Sequence, residues 1–433
     1  FADRRGNVVV SLEYSKQDGL DGTERPNLRD DYSYCPNPDN TGAADGIVDT
    51  LLCADRSTVW QVPNTGYILL SNSFAGPTGG NVLQDASGNA TILGLGGELL
   101  DMASNVGDTS GSIFFSQGAN AGGDNPLLLN LPETNTLVSP LERYTFNALS
   151  HYDITENLRF FTEALYSRSE SVDTQSQPSW STTFFGPGQA GNLQINATDN
   201  PYVTDEMKTL LASETGGIGF DPDSTEAQYF YVTRSNQDIL EGSPSRRSQD
   251  VFRFVGGLEG NFDLGDREFT WDFSYVFGQT NAVSSQSTLN GRRYAFAIDA
   301  VDDGTGNIVC RAQLDGAPDG GGGIADPAAN NDVDLCVPIN ILGYNQFGED
   351  ARNYLIQQQF QSTQIQQTVI EATVAGSIMD LPAGELGFAM GLTNRRELGR
   401  FDVDQASEIG IDPNSPLANV LGKFDTKEAY AEF

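Results

Sequence analysis

Histidine is almost missing from this chain, whose 433 residues include one histidine, four cysteines and four methionines. A histidine-based metal site or a Ser-His-Asp hydrolase site therefore has almost no side chains to draw on. Carboxylates are abundant, but a pair of them indicates catalysis only when separation and environment set the two apart. We therefore predict that the chain is not an enzyme and that it holds no metal ion and no cofactor.

Basic residues and long apolar runs are scarce as well. The chain has 24 Lys and Arg against 59 Asp and Glu, a net charge of −35 at pH 7. A surplus of that size repels phosphate backbones, which excludes nucleic-acid binding by a basic patch. No apolar run approaches the roughly 18–20 residues that a membrane-spanning helix needs, so an α-helical membrane protein is excluded too.

The four cysteines form two pairs that are local in sequence, Cys35 with Cys53 and Cys310 with Cys336. Neither pair has the C-x-x-C spacing of a zinc or redox site. Each pair brackets a polar loop rich in Asp, Gly and Asn, and we predict two disulfides that staple these loops, with free buried thiols as the alternative. Disulfides place the chain in an oxidising compartment, such as a periplasm or the cell exterior.

Strict alternation of apolar and polar residues is the strongest pattern in the chain. From Phe269 to Phe277 every second residue is aromatic, and the residues between them include Asp272 and Ser274. Such alternation is typical of strands whose two faces differ, and these strands exceed the usual length of roughly 5–6 residues. The eight predicted strands are 7–15, 143–154, 158–175, 250–263, 268–283, 366–379, 385–403 and 426–433.

Short and long connections between these strands alternate. Tight turns are predicted at Thr155–Asn157, Gly265–Asp266 and Pro382–Gly384, whereas long loops are predicted at about 16–140, 176–249, 284–365 and 404–424. Strands that alternate in direction bring all three tight turns to one end and every long loop to the other. Short periplasmic turns with long extracellular loops are typical of an antiparallel transmembrane β-barrel, and a β-sandwich gives no reason for one-sided loops. Within the second loop, Thr204 is expected to cap a short helix reaching Ser213.

The two faces of the predicted strands suit two different surroundings. One face carries aromatic residues near both ends, such as Trp271 and Tyr14, as the two girdles of a lipid-facing surface do. The other face carries charges, which a core without water would not tolerate, so we predict a water-filled lumen. These charges either pair across strands and solvate the wall, or contact a plug or guide a solute. The predicted lumen-facing charges are Arg143, Arg159, Glu163, Arg253, Glu259, Asp272, Glu371 and Arg395.

Four segments carry a further pattern: the hairpin from Leu141 to Tyr166, Cys336–Asn340, Leu381–Gly384 and the segment Thr426–Glu432. These segments resemble TonB-dependent outer-membrane receptors of the proteobacterial large-loop type. The resemblance covers most of the strands and little of the loops. It implies a 22-stranded barrel in the bacterial outer membrane, closed by an N-terminal plug domain and opened by the TonB–ExbB–ExbD energy-coupling complex.

The chain departs from that family pattern at both ends. The plug domain and its TonB-contacting segment would lie before Phe1, and further strands would follow Phe433. We therefore expect residues 1–433 to be an internal barrel portion of about eight strands. The implied partners are a bilayer with lipopolysaccharide, a small or oligomeric solute and a surface lipoprotein.

The resemblance also implies import of a scarce, bulky solute, such as a ferric siderophore or an oligosaccharide. Aromatic residues in the loops could stack on sugar rings or planar chelates, or could instead fold their own loops. The leading alternative function is a non-transporting extracellular β-protein, an adhesin or surface-layer module. The candidate substrate contacts are Trp60, Tyr67, Trp180, Phe184, Phe185, Tyr229, Tyr231 and Tyr344.

Overall fold

An antiparallel sheet of eight long strands, which we call the wall, dominates the structure. The computed structural model describes residues 5–25, 32–37, 39–40, 46–54, 58–59, 62–71, 82–106, 125–130, 136–173, 193–213, 218–240, 244–316, 327–409 and 417–433. The wall strands are β1 (Gly6–Gln17), β11 (Leu141–Thr155), β12 (Leu158–Asp173), β15 (Ser245–Leu264), β16 (Arg267–Leu289), β19 (Ile356–Leu381), β20 (Gly384–Val403) and β21 (Val420–Glu432).

Each wall strand pairs with the next wall strand along the chain, in the order β1-β11-β12-β15-β16-β19-β20-β21. The predicted strand count and the antiparallel order are therefore confirmed. Three connections are two-residue turns at 156–157, 265–266 and 382–383, and all three lie at the same end of the wall. Gly265, with φ of 67°, adopts the left-handed conformation that a tight hairpin turn requires.

Several strands are longer than their apolar alternation indicates, and the predicted loop bounds were wrong there. β15 begins at Ser245 instead of Asp250, β16 continues to Leu289, β19 begins at Ile356 and β21 begins at Val420. The connections consequently shrink to 18–140, 174–244, 290–355 and 404–419. The segments added to β15, β16 and β19 are rich in Gln, Ser and Thr, and they stay in the sheet because backbone pairing continues where the apolar pattern stops.

The two faces of the wall differ as the alternation predicts. Cross-strand neighbours share a face, so the register Leu258–Phe273–Ala372–Leu392 identifies one row of what we call the aromatic face. Its side chains are open to the surroundings: Phe273 is 42% exposed on an interior strand and Leu392 is 64% exposed. A contiguous exposed apolar surface of this extent marks an interaction site and is foreign to an ordinary soluble sheet. We call the opposite face the polar face.

The connections opposite the tight turns form a second layer, which we call the cap. It consists of the described residues of three excursions, 18–140, 174–244 and 290–355. Its strands are β2 (Leu20–Asp21), β3 (Tyr32–Pro36), β4 (Thr50–Ala54), β5 (Thr58–Val59), β6 (Tyr67–Leu69), β7 (Thr91–Leu93), β8 (Leu99–Asp101), β9 (Leu129–Asn130), β10 (Thr136–Val138), β13 (Gln194–Asn196), β14 (Tyr229–Thr233), β17 (Ala300–Asp302) and β18 (Ile308–Cys310).

Short helices complete the cap, apart from the last one, which lies between β20 and β21. Thr204 caps the second helix as predicted, because its hydroxyl accepts a hydrogen bond from the Met207 N–H at 3.2 Å. The helices are α1 (Met102–Val106), α2 (Asp205–Leu211), α3 (Gln237–Leu240), α4 (Gly291–Ile298), α5 (Arg311–Asp315), α6 (Pro327–Asp334), α7 (Glu349–Leu355) and α8 (Gln405–Ile409). No helix in the described part of the chain is long and apolar enough to cross a bilayer.

The three excursions share one hydrophobic core instead of forming separate loops. Ile68 from the first excursion, Phe230 from the second and Tyr294 from the third all belong to one buried cluster. A small sheet also joins two excursions, because β14 pairs with both β13 and β6. Leu289 and Leu355 bring the ends of β16 and α7 into the same core, so the cap continues directly from the wall.

Polar contacts and a disulfide strengthen the cap. Arg311 donates to Asp199 at 2.5 Å and to Asp299 at 3.1 Å, which ties the second excursion to the third. The predicted disulfide between Cys310 and Cys336 is confirmed, and it links the start of α5 to the end of the α6 region. Cys35 and Cys53 lie on the paired strands β3 and β4, but their side chains fall outside the described residues.

Candidate functional site: the polar face of the wall and the cap above it

Charged side chains form a row across the polar face near the tight turns. The register runs Asp153–Arg159–Glu259–Asp272–Thr373 over five neighbouring strands. Arg159 donates to Asp153 at 2.7 Å and to Glu259 at 3.4 Å, and the Thr373 hydroxyl donates to Asp272. The row borders a cleft of about 510 Å³ that also contains Asn157, Asn261, Glu268 and Trp271.

All eight charges predicted for the lumen lie on the polar face. Arg253 donates to Glu163 at 2.9 Å, so these two charges compensate each other as the structural interpretation expects. Glu371 stands opposite Ser274, Arg395 opposite Val369, and Arg143 opposite Ser169. Ion pairs this exposed stabilise the fold little, and their main effect is to keep the face hydrated. That this face lines a lumen stays a prediction.

A second pocket lies on the polar face near the cap, and neutral side chains make up most of it. Its volume is about 380 Å³, and its lining includes Ser169, Ser171, Gln249, Ser284, Gln361 and Thr363. Two arginines, Arg143 and Arg247, also line it. Charge thus dominates the turn end of the polar face, and hydroxyl and amide groups dominate its cap end. We call this second space the upper pocket.

Directly above the upper pocket, two polar groups have no hydrogen-bond partner among the described residues. Asp173 and Ser245 are cross-strand neighbours two residues beyond Ser171 and Arg247. The Oδ1 atom of Asp173 and the Oγ atom of Ser245 are both buried and unsatisfied, and Ser245 is 5% exposed. Buried polar groups are usually paired, so these two identify a place where the described part of the fold leaves hydrogen-bonding capacity unused.

The aromatic residues predicted to contact a solute are distributed over different environments. Tyr67 is 3% exposed inside a cap cluster with Leu69 and Ile92, so a solute cannot reach it in this conformation. Tyr231 packs against the same cluster, and Tyr344 is half-buried beside Leu95, whose carbonyl accepts the Tyr344 N–H. Tyr229 is exposed. Trp60, Trp180, Phe184 and Phe185 lie outside the described residues.

A fully buried ion pair holds the centre of the cap. Arg234 donates to the carboxylate of Asp238 at 2.5 Å and to the carbonyl oxygens of Ile341 and Gly343, and neither charged side chain is exposed. The second carboxylate oxygen of Asp238 accepts the N–H of Asn345 at 2.8 Å. These contacts join the second excursion to the third.

The neighbouring Tyr294 donates from its hydroxyl to Asn236 at 3.0 Å. Burial raises the pKa of the Tyr294 hydroxyl, which keeps it protonated as that donor. The charged and polar groups at the centre of the cap therefore serve its rigidity, because they are closed off from any solute.

Sequence reasoning found Arg143 but missed Arg247 and the Asp173–Ser245 pair. The sequence predicts a loop at Arg247 because the aromatic alternation of β15 starts only at Phe252, seven residues after the strand begins. A weaker signal is the alternate serines at 167, 169 and 171, which indicate that β12 continues beyond its apolar part. The neighbouring strand β15 then extends beside it to include Arg247, which pairs with Ser171.

The polar face of the wall presents charged, hydroxyl and amide groups on an open surface. In the described ranges, no three His, Cys, Asp or Glu side chains lie close enough together to hold a metal ion. No family model matches this chain, and no curated protein matches it.

Proposed function

We propose that the chain forms part of the barrel wall and the external cap of a TonB-dependent outer-membrane importer. The main observation that supports this proposal is that the eight-stranded antiparallel wall has an exposed aromatic face and a charged opposite face. Lipid on one side and water on the other make both faces favourable, since charge is costly in hydrocarbon and exposed apolar surface is costly in water.

Strand length supports the same proposal. A tilted strand crosses a bilayer in about 9–11 residues, and β16 and β19 have 23 and 26. The residues beyond that number lie at the cap end, where Gln, Ser and Thr predominate in both strands. The bilayer thus surrounds the turn half of the wall, and the cap stands outside it on the long-loop side.

The number of strands is part of the proposal. Within the described residues, β1 and β21 are the edge strands of the wall, and each pairs on one side only. A barrel in a bilayer has no free edges, because unpaired backbone groups are too costly in hydrocarbon. We propose that further strands close a barrel of 22, with a plug in its lumen that the TonB–ExbB–ExbD complex displaces.

An arginine substitution on the aromatic face tests the membrane part of this proposal. Phe273→Arg should destabilise the inserted state by about 2–4 kcal/mol near the midplane, and less near an interface. Ser274→Arg, one residue along the same strand on the polar face, is the matched control and should insert normally. The measurement is the folded fraction of the intact receptor in lipid vesicles. Equal insertion of both variants, or a monodisperse wild-type chain without detergent, would contradict the proposal.

Import itself needs a cellular measurement. In cells carrying the intact receptor, uptake of its solute should stop when TonB is deleted and return when TonB is restored. Uptake that continues without TonB would leave a membrane barrel but remove energised import.

The second candidate function is an extracellular adhesin or surface-layer module. The observation that favours it is the cap, which has its own hydrophobic core and presents Tyr229 on its surface. This alternative predicts that Ala replacements on the cap surface weaken attachment of cells to a surface and leave solute uptake unchanged. Loss of uptake with normal attachment would favour import.

A further inference from the structure

Two arginines of the upper pocket lack a carboxylate partner among the described residues, as Arg246 and Arg395 outside the pocket do. The ion-paired arginines among the described residues are Arg159, Arg168, Arg234, Arg253, Arg267, Arg292, Arg293, Arg311, Arg396 and Arg400. In a chain with a net charge of −35, carboxylates are plentiful. Across the described residues, neither Arg143 nor Arg247 has one within ion-pair distance, although both line the same pocket.

The register puts these two arginines around a floor of serine. Arg143 on β11 stands opposite Ser169, and Arg247 on β15 stands opposite Ser171, with β12 between them. Two strand spacings and a two-residue offset separate their Cα atoms by roughly 12 Å. Two extended arginine side chains span that distance with a small oxyanion held between them. The hydroxyls of Ser169 and Ser171 lie beneath that point as further donors.

We infer that the upper pocket is a subsite for an oxyanion group, a carboxylate in the first place, carried by the solute that the wall admits. The guanidinium fork matches the geometry of a carboxylate, and hydrogen bonds between charged groups are the stronger ones. That the bound carboxylate belongs to a transported solute rests on the proposed function. The binding of a carboxylate by this pocket is a separate property of the chain.

Asp173 weakens the binding of an anion in the upper pocket. It lies on the same face of β12, two residues beyond Ser171, and diagonal to Arg247. Its negative charge opposes the binding of an anion in the upper pocket, since like charges at close range repel. An anion in the subsite is therefore bound against the repulsion of a nearby carboxylate, and contact with both arginines offsets that repulsion.

The test is binding of citrate to the full chain in detergent, measured by calorimetry at low ionic strength. Arg143→Gln and Arg247→Gln should each weaken citrate binding about tenfold, as expected for the loss of one charge-assisted hydrogen-bonding group. Asp173→Asn should strengthen it. Raising the salt concentration should weaken binding to the wild-type chain, because the arginines are exposed.

Arg253→Gln is the matched control, since it removes one positive charge from the same face but from a pair with Glu163. It should change citrate binding less than twofold, and erythritol, a neutral polyol, should not bind. Thermal unfolding by circular dichroism checks that each variant is folded. Absence of citrate binding, equal loss in Arg253→Gln, or unchanged binding in Arg143→Gln and Arg247→Gln would overturn the subsite.

The outcomes separate this inference from the proposed function. A chain that inserts into vesicles but does not bind citrate overturns the subsite alone. A chain that binds citrate through both arginines but stays soluble without lipid overturns the import proposal alone.

Discussion

Replacing Asp238 with asparagine should loosen the cap without affecting the wall. Asp238 and Arg234 are both fully buried, and the guanidinium also donates to three carbonyl oxygens, those of Ser235, Ile341 and Gly343. Asparagine keeps the volume and one acceptor of aspartate but removes the charge. The Arg234 guanidinium then remains buried without a counter-ion, which costs about 3 kcal/mol, the lower end of the range for broken buried pairs.

The reverse substitution, Arg234→Met, should cost about 3–5 kcal/mol, because it leaves the Asp238 carboxylate with one donor, the N–H of Asn345, and removes the partner of three carbonyls. A double variant, Arg234→Met with Asp238→Leu, carries no buried charge. It should cost less than the two single changes together, with a coupling energy of about 3 kcal/mol between the two positions.

Amide hydrogen exchange on the full chain measures these costs in the cap separately from the wall. The N–H of Val232 donates to the Leu193 carbonyl inside the cap, so its exchange reports opening of the cap. A cost of 3 kcal/mol raises its exchange rate roughly 100- to 200-fold, whereas amides of β12 paired with β15 should exchange as before. Single costs below 1 kcal/mol, or costs that simply add in the double variant, would refute the argument that this pair links the second and third excursions.

Three further predictions concern the cap. Replacing Cys310 and Cys336 together with serine should destabilise the cap by about 3–4 kcal/mol, because the disulfide closes a loop with a separation of 26 residues, and exchange at Val232 should report it. Hydrogen bonds from Thr305 and then Asn307 hold the pKa of Asp303 well below its ordinary value. The stability that ionised Asp303 gives the β17–β18 hairpin is therefore present above about pH 4 and is lost as the pH falls through the lower, folded-state pKa. An NMR titration of the carboxyl resonances checks this, and an ordinary pKa for Asp303 would contradict it. Thr204→Ala should destabilise α2 by about 1 kcal/mol, seen as faster exchange of the Met207 amide, while Thr204→Ser should restore protection.

The wall could be predicted from sequence because its signal is local and periodic. In β16, the alternation from Phe269 to Phe277 sets both the strand and the face of each side chain. The tight turns then set the antiparallel order, since strands joined by two residues must pair. Strand ends were less predictable: the run from Ile356 to Gln366 alternates poorly, yet it pairs fully with β16.

The cap could not be predicted because its contacts are long-range and partly polar. The sequence from Thr233 to Asp238 is hydrophilic and reads as a solvated loop, but most of these residues, including Arg234 and Asp238, are fully buried. Their burial depends on acceptors at Ile341 and Gly343, more than a hundred residues away. No local pattern marks such partners. The sequence prediction of separate loops therefore missed the shared core.

The candidate site combines both cases. Arg143 was predictable because it lies within the alternation of β11, whereas Arg247 lies in the part of β15 that has no apolar alternation. The two become one pocket only through the register of β12 with both neighbours. The proximity of Arg143 and Arg247 therefore follows from the pairing of the sheet. It can be inferred only when β15 is known to begin at Ser245.

The long strands also determine how the cap and the wall act together. β16 ends at Leu289 and β19 begins at Ile356, and both residues contact the cap core. The N–H of Asn290 donates to the Leu355 carbonyl at 2.9 Å, which closes the connection at the point where the wall becomes the cap. A cap joined through paired strands cannot swing freely, since movement would break the ladder between β16 and β19. The upper pocket, whose wall includes Ser284 on β16 and Gln361 on β19, lies just below this junction. The ladder between β16 and β19 therefore holds these pocket residues in place when the cap core above them loosens.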